Sequence, residues 1–241
     1  MNFDLPELAP DSVVGARCQV KLDSLKPTQN AAGFDEVNDK IARYSAKSKA
    51  DLKDYLIVHP VPVVIGNGDQ FYLTDHHHLC NAMWKMAEGK NEAGVDTGNA
   101  RVVVLVQANI APLKGYHFWK AMHKDRLVYL FDNYGAGPLR PKELCSHIKE
   151  LRNDPYRSLA WEVRTRYGYD KSPHAFAEFI WADFFRVRII IDNDLLKNKV
   201  TDSEILIRSL PEEHYKEVID EAMQLARSPE ARGLPGYLGP S

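Results

Sequence analysis

The stretch VPVVIGNGDQFYLTDHHHLCNAM, residues 61–83, constrains the fold more than any other part of the chain. Its opening apolar run reads as a buried strand, GNGD as a turn and QFYLT as the hairpin partner. The period then changes. Leu79, Ala82, Met83 and Met86 recur at three and four residues, so a helix starts around the histidines, with Thr74 or Asp75 as expected N-cap and Gly89 as stop. Free backbone N–H groups and the positive end of the helix dipole make such a first turn a place for an anion. Histidines there can donate to a phosphate, hold a metal or exchange protons near neutral pH. Adjacent helix positions point about 100° apart, so His76, His77 and His78 cannot all face one ligand; at most two converge, with Asp75 from the cap. The competing reading is a polar helix start with solvated histidines.

Around this stretch the sequence alternates strand and helix patterns over residues 1–135 and turns helical thereafter. Val20 and Leu22 alternate with polar neighbours like a short strand, and KPTQNAAGF is a turn. Asp35–Lys49 is expected to be an amphipathic helix with Val37, Ile41 and Tyr44 on one face. RVVVLVQANI reads as a buried strand and RLVYLFDN as another. The aromatic segment YHFWKAMHKDRLVYLFDNYGAG is expected to be a strand pair with a packed aromatic layer. Residues 141–188 read mostly as helix, 201–227 as two more helices, and the Gly/Pro-rich tail as irregular.

Composition narrows the function classes. Lys+Arg number 31 against Asp+Glu 33, a net charge of -2, which removes the global basic footprint of a protein held on nucleic acid by bulk charge. A local basic patch stays open. Cys18, Cys80 and Cys145 are widely spaced with no CxxC, against a disulfide framework or a thiolate zinc site and in keeping with a reducing compartment. The sequence has no basic, apolar leader pattern and no apolar run of about 18 residues, so a cytoplasmic location without a membrane partner is expected. The GAG at 135–137 lacks the Lys-Ser/Thr of a Walker loop, and neither G-x-S-x-G nor H-E-x-x-H occurs.

In the helical half, Phe176, Phe179 and Ile180 of FAEFIWADFFR form an apolar stripe, and Asp183 and Arg186 are spaced as a helix-surface ion pair. Glu178 has no Lys or Arg three or four positions away. A carboxylate among aromatics is costly without a partner, so Glu178 is expected to meet His77, His78 or Lys40.

The segment VPVVIGNGDQFYLTDHHHLCNAM resembles the signature of the ParB/sulfiredoxin-like superfamily, where a D-G-H-H-R-like turn opens a helix that binds nucleotide phosphate. VKLDSLKPTQNAAGFDEVNDKIARYS resembles the start of ParB domains. Over residues 12–237 the chain is most similar to the ParB-like nuclease group, on PTQ at 27–29, DHHH at 75–78, FAEFIWADFFR at 176–186 and LPGY at 234–237. The resemblance implies an α+β fold, with a ParB/sulfiredoxin-like core of a small mixed β-sheet and helices over 12–135 and a helical extension over 136–237 packed on it. It implies a nucleotide (ATP, ADP or CTP) or a phosphorylated small molecule at Thr74, His76, His77 and His78, with Gln29 and Lys40 beside it. His77, His78, Asp75 and Glu178 are then the catalytic candidates, and His77 and Glu178 the candidate ligands of a divalent metal.

Three departures matter. His76 stands where the resembled turn carries glycine, Leu79 where it carries a phosphate-gripping arginine, and His77 where sulfiredoxins carry their reactive cysteine. The third sets aside sulfinic acid repair. The leading expectation is an enzyme acting on phosphoester or phosphoanhydride bonds, nuclease-like or nucleotide-hydrolysing. One alternative is an ATP- or ADP-dependent small-molecule kinase, for which Gln29 occupies the usual position of the glutamate base and Glu36 is the nearby substitute. The other is a nucleotide-controlled binding module.

Overall fold

The computed structural model describes residues 1–89, 100–191 and 205–240. The chain divides into two compact units, one of Met1–Asn30, Val37–Asp132 and Ala136–Leu151, the other of Ala31–Glu36, Asn133–Gly135 and Arg152–Ser241.

The first unit is built on a five-stranded mixed sheet. Its strands are β1 (Arg17–Lys21), β2 (Leu25–Pro27), β4 (Val61–Gly66), β5 (Gln70–Leu73) and β6 (Arg101–Asn109), in the order β1-β6-β4-β5-β2. β4 pairs antiparallel with β5, Val63 opposite Leu73, and parallel with β6. Val61, Val63, Val64 and Ile65 are all fully buried, so the unbroken apolar run marks a strand covered on both faces. Gly66 closes β4 because a Cβ there would meet the Tyr72 ring at 2.7 Å and the Phe118 ring at 2.9 Å.

Helices α1 (Phe34–Ser45), α2 (Lys49–Val58), α3 (His77–Glu88) and α4 (Gly115–Lys124) accompany the sheet. α1 ends four residues before its expected limit at Lys49, which instead opens α2. The sequence reading has no helix at α2. Leu52 and Leu56, four apart, are its buried face, and the Ser48 hydroxyl caps it by accepting the Asp51 N–H at 3.1 Å. α4 corrects the expected strand pair. Phe118 and Met122 are four apart and pack with Val64 and Val128, so helical spacing prevails over the strand preference of aromatic residues. Residues 126–133 form no strand; Arg126 turns the chain at φ 56°, and Leu139 N–H reaches back to Leu130 oxygen.

The second unit pairs β3 (Ala31–Ala32) in parallel with β7 (Arg152–Asn153) and adds α5 (Pro155–Thr165), α6 (Ala177–Arg186) and α7 (Glu212–Arg227). Leu159, Val163, Trp181, Phe185, Val218 and Ala222 form its core. The expected helix over 141–188 is therefore two helices; ahead of them lie only short 3-10 turns at Pro141–Glu143 and Ile148–Glu150 and the strand β7. Of the two helices expected over 201–227, α7 is present, residues 205–211 hold only a 3-10 turn, and 201–204 lie outside the described residues. The LPGY tail is docked. Trp181 Nε1 donates to the Pro235 oxygen and the Asp170 N–H to the Gly236 oxygen, both at 2.8 Å.

Candidate functional site

In the first unit the hairpin delivers the chain to the histidines as the sequence indicates, but the cap differs. The N-cap of α3 is His76, not Thr74 or Asp75, and it sits in the left-handed region at φ 63°, ψ 25°. Thr74 stays with the sheet, its N–H donating to the Pro62 oxygen at 3.1 Å and its hydroxyl to Gln107 Oε1 at 2.8 Å. The exposed Asp75 carboxylate accepts the His76 N–H at 2.6 Å, which fixes the turn.

The three histidines then part ways, as helix geometry requires. His76 remains partly exposed, while His77 and His78 are buried. His77 Nε2 accepts the backbone N–H of Thr28 at 3.2 Å, and the Thr28 hydroxyl donates to the Leu73 oxygen at 2.9 Å. Burial, reinforced by His78 and His76, holds the His77 imidazole well below its ordinary pKa. His77 is thus a neutral ring with its proton on Nδ1 and its Nε2 lone pair committed to the PTQ turn. It positions the turn; its Nε2 is not open to a metal or a phosphate. Gln29 is buried, and Lys40 is half-buried on α1.

Glu178 lies on the first turn of α6 in the second unit, and its partners are not those expected. Its Oε1 is 3.0 Å from Arg164 Nε and its Oε2 is 3.6 Å from Arg157 Nη2, both cations on α5. Arg157 Nη2 also meets Glu36 Oε2 at 3.3 Å, so the substitute kinase base is held in a buried ion pair. Asp154 caps α5 by accepting the N–H groups of Tyr156 and Arg157, with Pro155 at the first helical position. Arg186 pairs with Asp183 at 3.4 Å as the spacing suggests, and more closely with buried Asp154 at 2.8 Å. The sequence reading missed Arg157 and Asp154. The Asp-Pro pair at 154–155 was a legible helix-start signal; nothing in the sequence marked Arg157.

Among the described residues, no group of three or more His, Cys, Asp or Glu side chains is placed to hold a metal ion. His77 Nε2 accepts the Thr28 N–H, and the Glu178 carboxylate is paired with Arg164 and Arg157. All three cysteines are free thiols, and burial pushes the Cys80 thiol up, so it stays protonated and unreactive. No helix among the described residues is long and apolar enough to cross a membrane.

The family described as "Putative ParB-like nuclease" matches residues 18–187. The chain belongs to this ParB-like nuclease family. The crystal structure of protein Atu1540 from Agrobacterium tumefaciens is similar at 36% sequence identity and a TM-score of 0.72, covering 93% of this chain and 98% of that one. No curated protein matches. The mixed sheet with its helices is thus a ParB-like α+β fold, and the family match takes in both the PTQ and the DHHH turns.

Proposed function

We propose that this ParB-like protein cleaves phosphoester or phosphoanhydride bonds of a nucleotide or phosphorylated small molecule, with the phosphate on the first turn of α3. The observation that carries the reading is His76 at φ 63°, a conformation that glycine adopts freely and a histidine does not. Keeping a histidine there costs about 1–2 kcal/mol, and strain of this kind gathers at working sites. The His76 backbone N–H is held by the exposed Asp75 carboxylate at 2.6 Å, at the turn whose free N–H groups open the helix.

In this reading the helix-start N–H groups and His76 receive the phosphate oxygens, and His78 is the second histidine of the turn. Asp75 fixes the turn, and His77 ties it to the residues around Thr28 from inside. A divalent cation, when bound with the substrate, would supply charge neutralisation at the phosphate. The net charge of -2 favours a small nucleotide such as ATP, ADP or CTP over duplex nucleic acid.

A thermal-shift screen of nucleotides with and without Mg²⁺, Mn²⁺ and Zn²⁺, followed by a phosphate-release assay on the hits, tests this. A nucleotide that raises the melting temperature and loses phosphate supports the reading. Nucleotides and short oligonucleotides that neither stabilise the protein nor are cleaved under any metal condition contradict it.

A further inference from the structure

Among the described residues, α4 is the one α-helix of seven without a carboxylate. The others mix acids and bases, as in the Arg43–Asp39 pair of α1 at 2.8 Å. The inner face of α4, Phe118 and Met122, is spent on the cluster with Val64 and Val128. Its outer face carries Tyr116, His117, Lys120, His123 and Lys124, all exposed, with exposed Lys114 and Arg126 at the two ends. Tyr116, Lys120 and Lys124 follow at intervals of four, so they stand in one row along the helix. Lys114, Lys120 and Lys124 form no ion pair among the described residues. Nearby carboxylates are few. Asp125 is the C-cap, Asp69 lies in the β4–β5 turn, and Glu143, beside Leu144 of the same cluster, is held by Arg140 at 3.0 Å.

A face that only meets water needs no single sign. Like charges four apart on a helix repel, as Lys120 and Lys124 do, and a cation at the N-cap opposes the helix dipole. Lys114 holds that N-cap and makes no side-chain cap bond. His123 and Lys124 suit the negative end of the helix; Lys114 has no such return within the fold. In a chain of net charge -2, this row is the local basic patch that the composition leaves open. Its chemistry fits a polyanion that carries flat rings. Ammonium groups match phosphodiester oxygens. The Tyr116 ring, 71% exposed with Lys120 Nζ 5.8 Å from its centroid, offers a stacking surface to an unpaired base.

We infer that the outer face of α4 docks single-stranded nucleic acid, with phosphates along Lys114, Lys120 and Lys124 and a base on Tyr116. This face is distinct from the phosphate turn on α3. A strand docks on α4 whether or not that turn cleaves a nucleotide, so neither reading stands or falls with the other.

The test is fluorescence anisotropy of the full chain with an end-labelled thymidine oligonucleotide in EDTA, over a range of sodium chloride, with a duplex and a glutamate polymer as competitors. Saturable binding is expected. It should be weaker by about tenfold or more in the double variant Lys120→Gln, Lys124→Gln, with the slope of log affinity on log salt reduced by about 0.7 per lysine removed. Tyr116→Ala should weaken binding by about fivefold or more and leave the slope unchanged, because stacking releases no counterions. All three positions are exposed, so the variants should keep the wild-type melting temperature. Absence of binding at low salt, affinity that survives both sets of substitutions, or a loss confined to His76→Gly overturns the inference. So does a duplex or a glutamate polymer that competes as well as the unlabelled single strand.

Discussion

The Thr28 backbone N–H donates to Nε2 of the buried His77 at 3.2 Å, joining two motifs that stand 49 residues apart in the chain. The bond exists only while His77 is neutral. A proton on Nε2 would set N–H against N–H at a buried contact.

Acid should therefore loosen this contact. Because the folded-state pKa of His77 lies below its unfolded value, the unfolded chain takes up the proton first as pH falls under the ordinary imidazole range of about 6.5. Stability contributed by neutral His77 is complete above that pH and declines below it, with a slope of up to about 1.4 kcal/mol per pH unit. Asp35 and Asp154, raised by burial, act in the opposite sense, so the quantity to measure is the difference between wild type and His77→Gln in urea unfolding from pH 7.5 to 5. The wild-type curve should fall more steeply than that of the variant. Parallel curves would remove His77 from the balance.

Gly236 pins the tail. Its φ of 75° suits glycine, and a Cβ there would lie 2.0 Å from the Asp170 oxygen, whereas Gly233 at φ 93° has open space around it. Gly233→Ala should cost about 1–2 kcal/mol of conformational strain, and Gly236→Ala clearly more, read as denaturant midpoints. Equal losses would mean that the tail is not docked through this contact.

Glu178→Gln should lower stability by about 1–3 kcal/mol, because it removes a carboxylate from Arg164 and from the buried Arg157. Chemical denaturation measures this. An unchanged midpoint would show that the ion pairs contribute nothing net.

The cysteines should be dispensable for chemistry. A variant with Cys18, Cys80 and Cys145 all replaced by alanine is expected to keep any phosphate-releasing activity per folded molecule, since two of the thiols are buried and the third donates to the Glu150 oxygen at 3.3 Å. Loss of activity with the fold retained would contradict that.

What could be read in the sequence was what depends on local spacing. The β4–β5 hairpin and α3 follow from a change of period between Leu73 and Leu79, and α1 from Val37, Ile41 and Tyr44. α4 was misread because its aromatics carry a strand preference that only the packing of Phe118 and Met122 on Val64 reverses. The partners of Glu178 escaped a search confined to its own helix, because Arg157 and Arg164 come from α5. His76 was legible as a departure from glycine; that the departure carries backbone strain required the φ angle. Which histidine turns inward depended on the Thr28 N–H, and no spacing rule reports a backbone donor 49 residues away.

His76→Gly tests the phosphate reading most directly, because it relieves the strained backbone and removes only the side chain. With glycine at φ 63° the unfolding midpoint should stay level or rise, by up to about 1 kcal/mol in stability. Release of phosphate from the best nucleotide substrate should fall at least tenfold in the same preparation. A variant that is as stable as wild type and hydrolyses the nucleotide at the full rate would contradict the account.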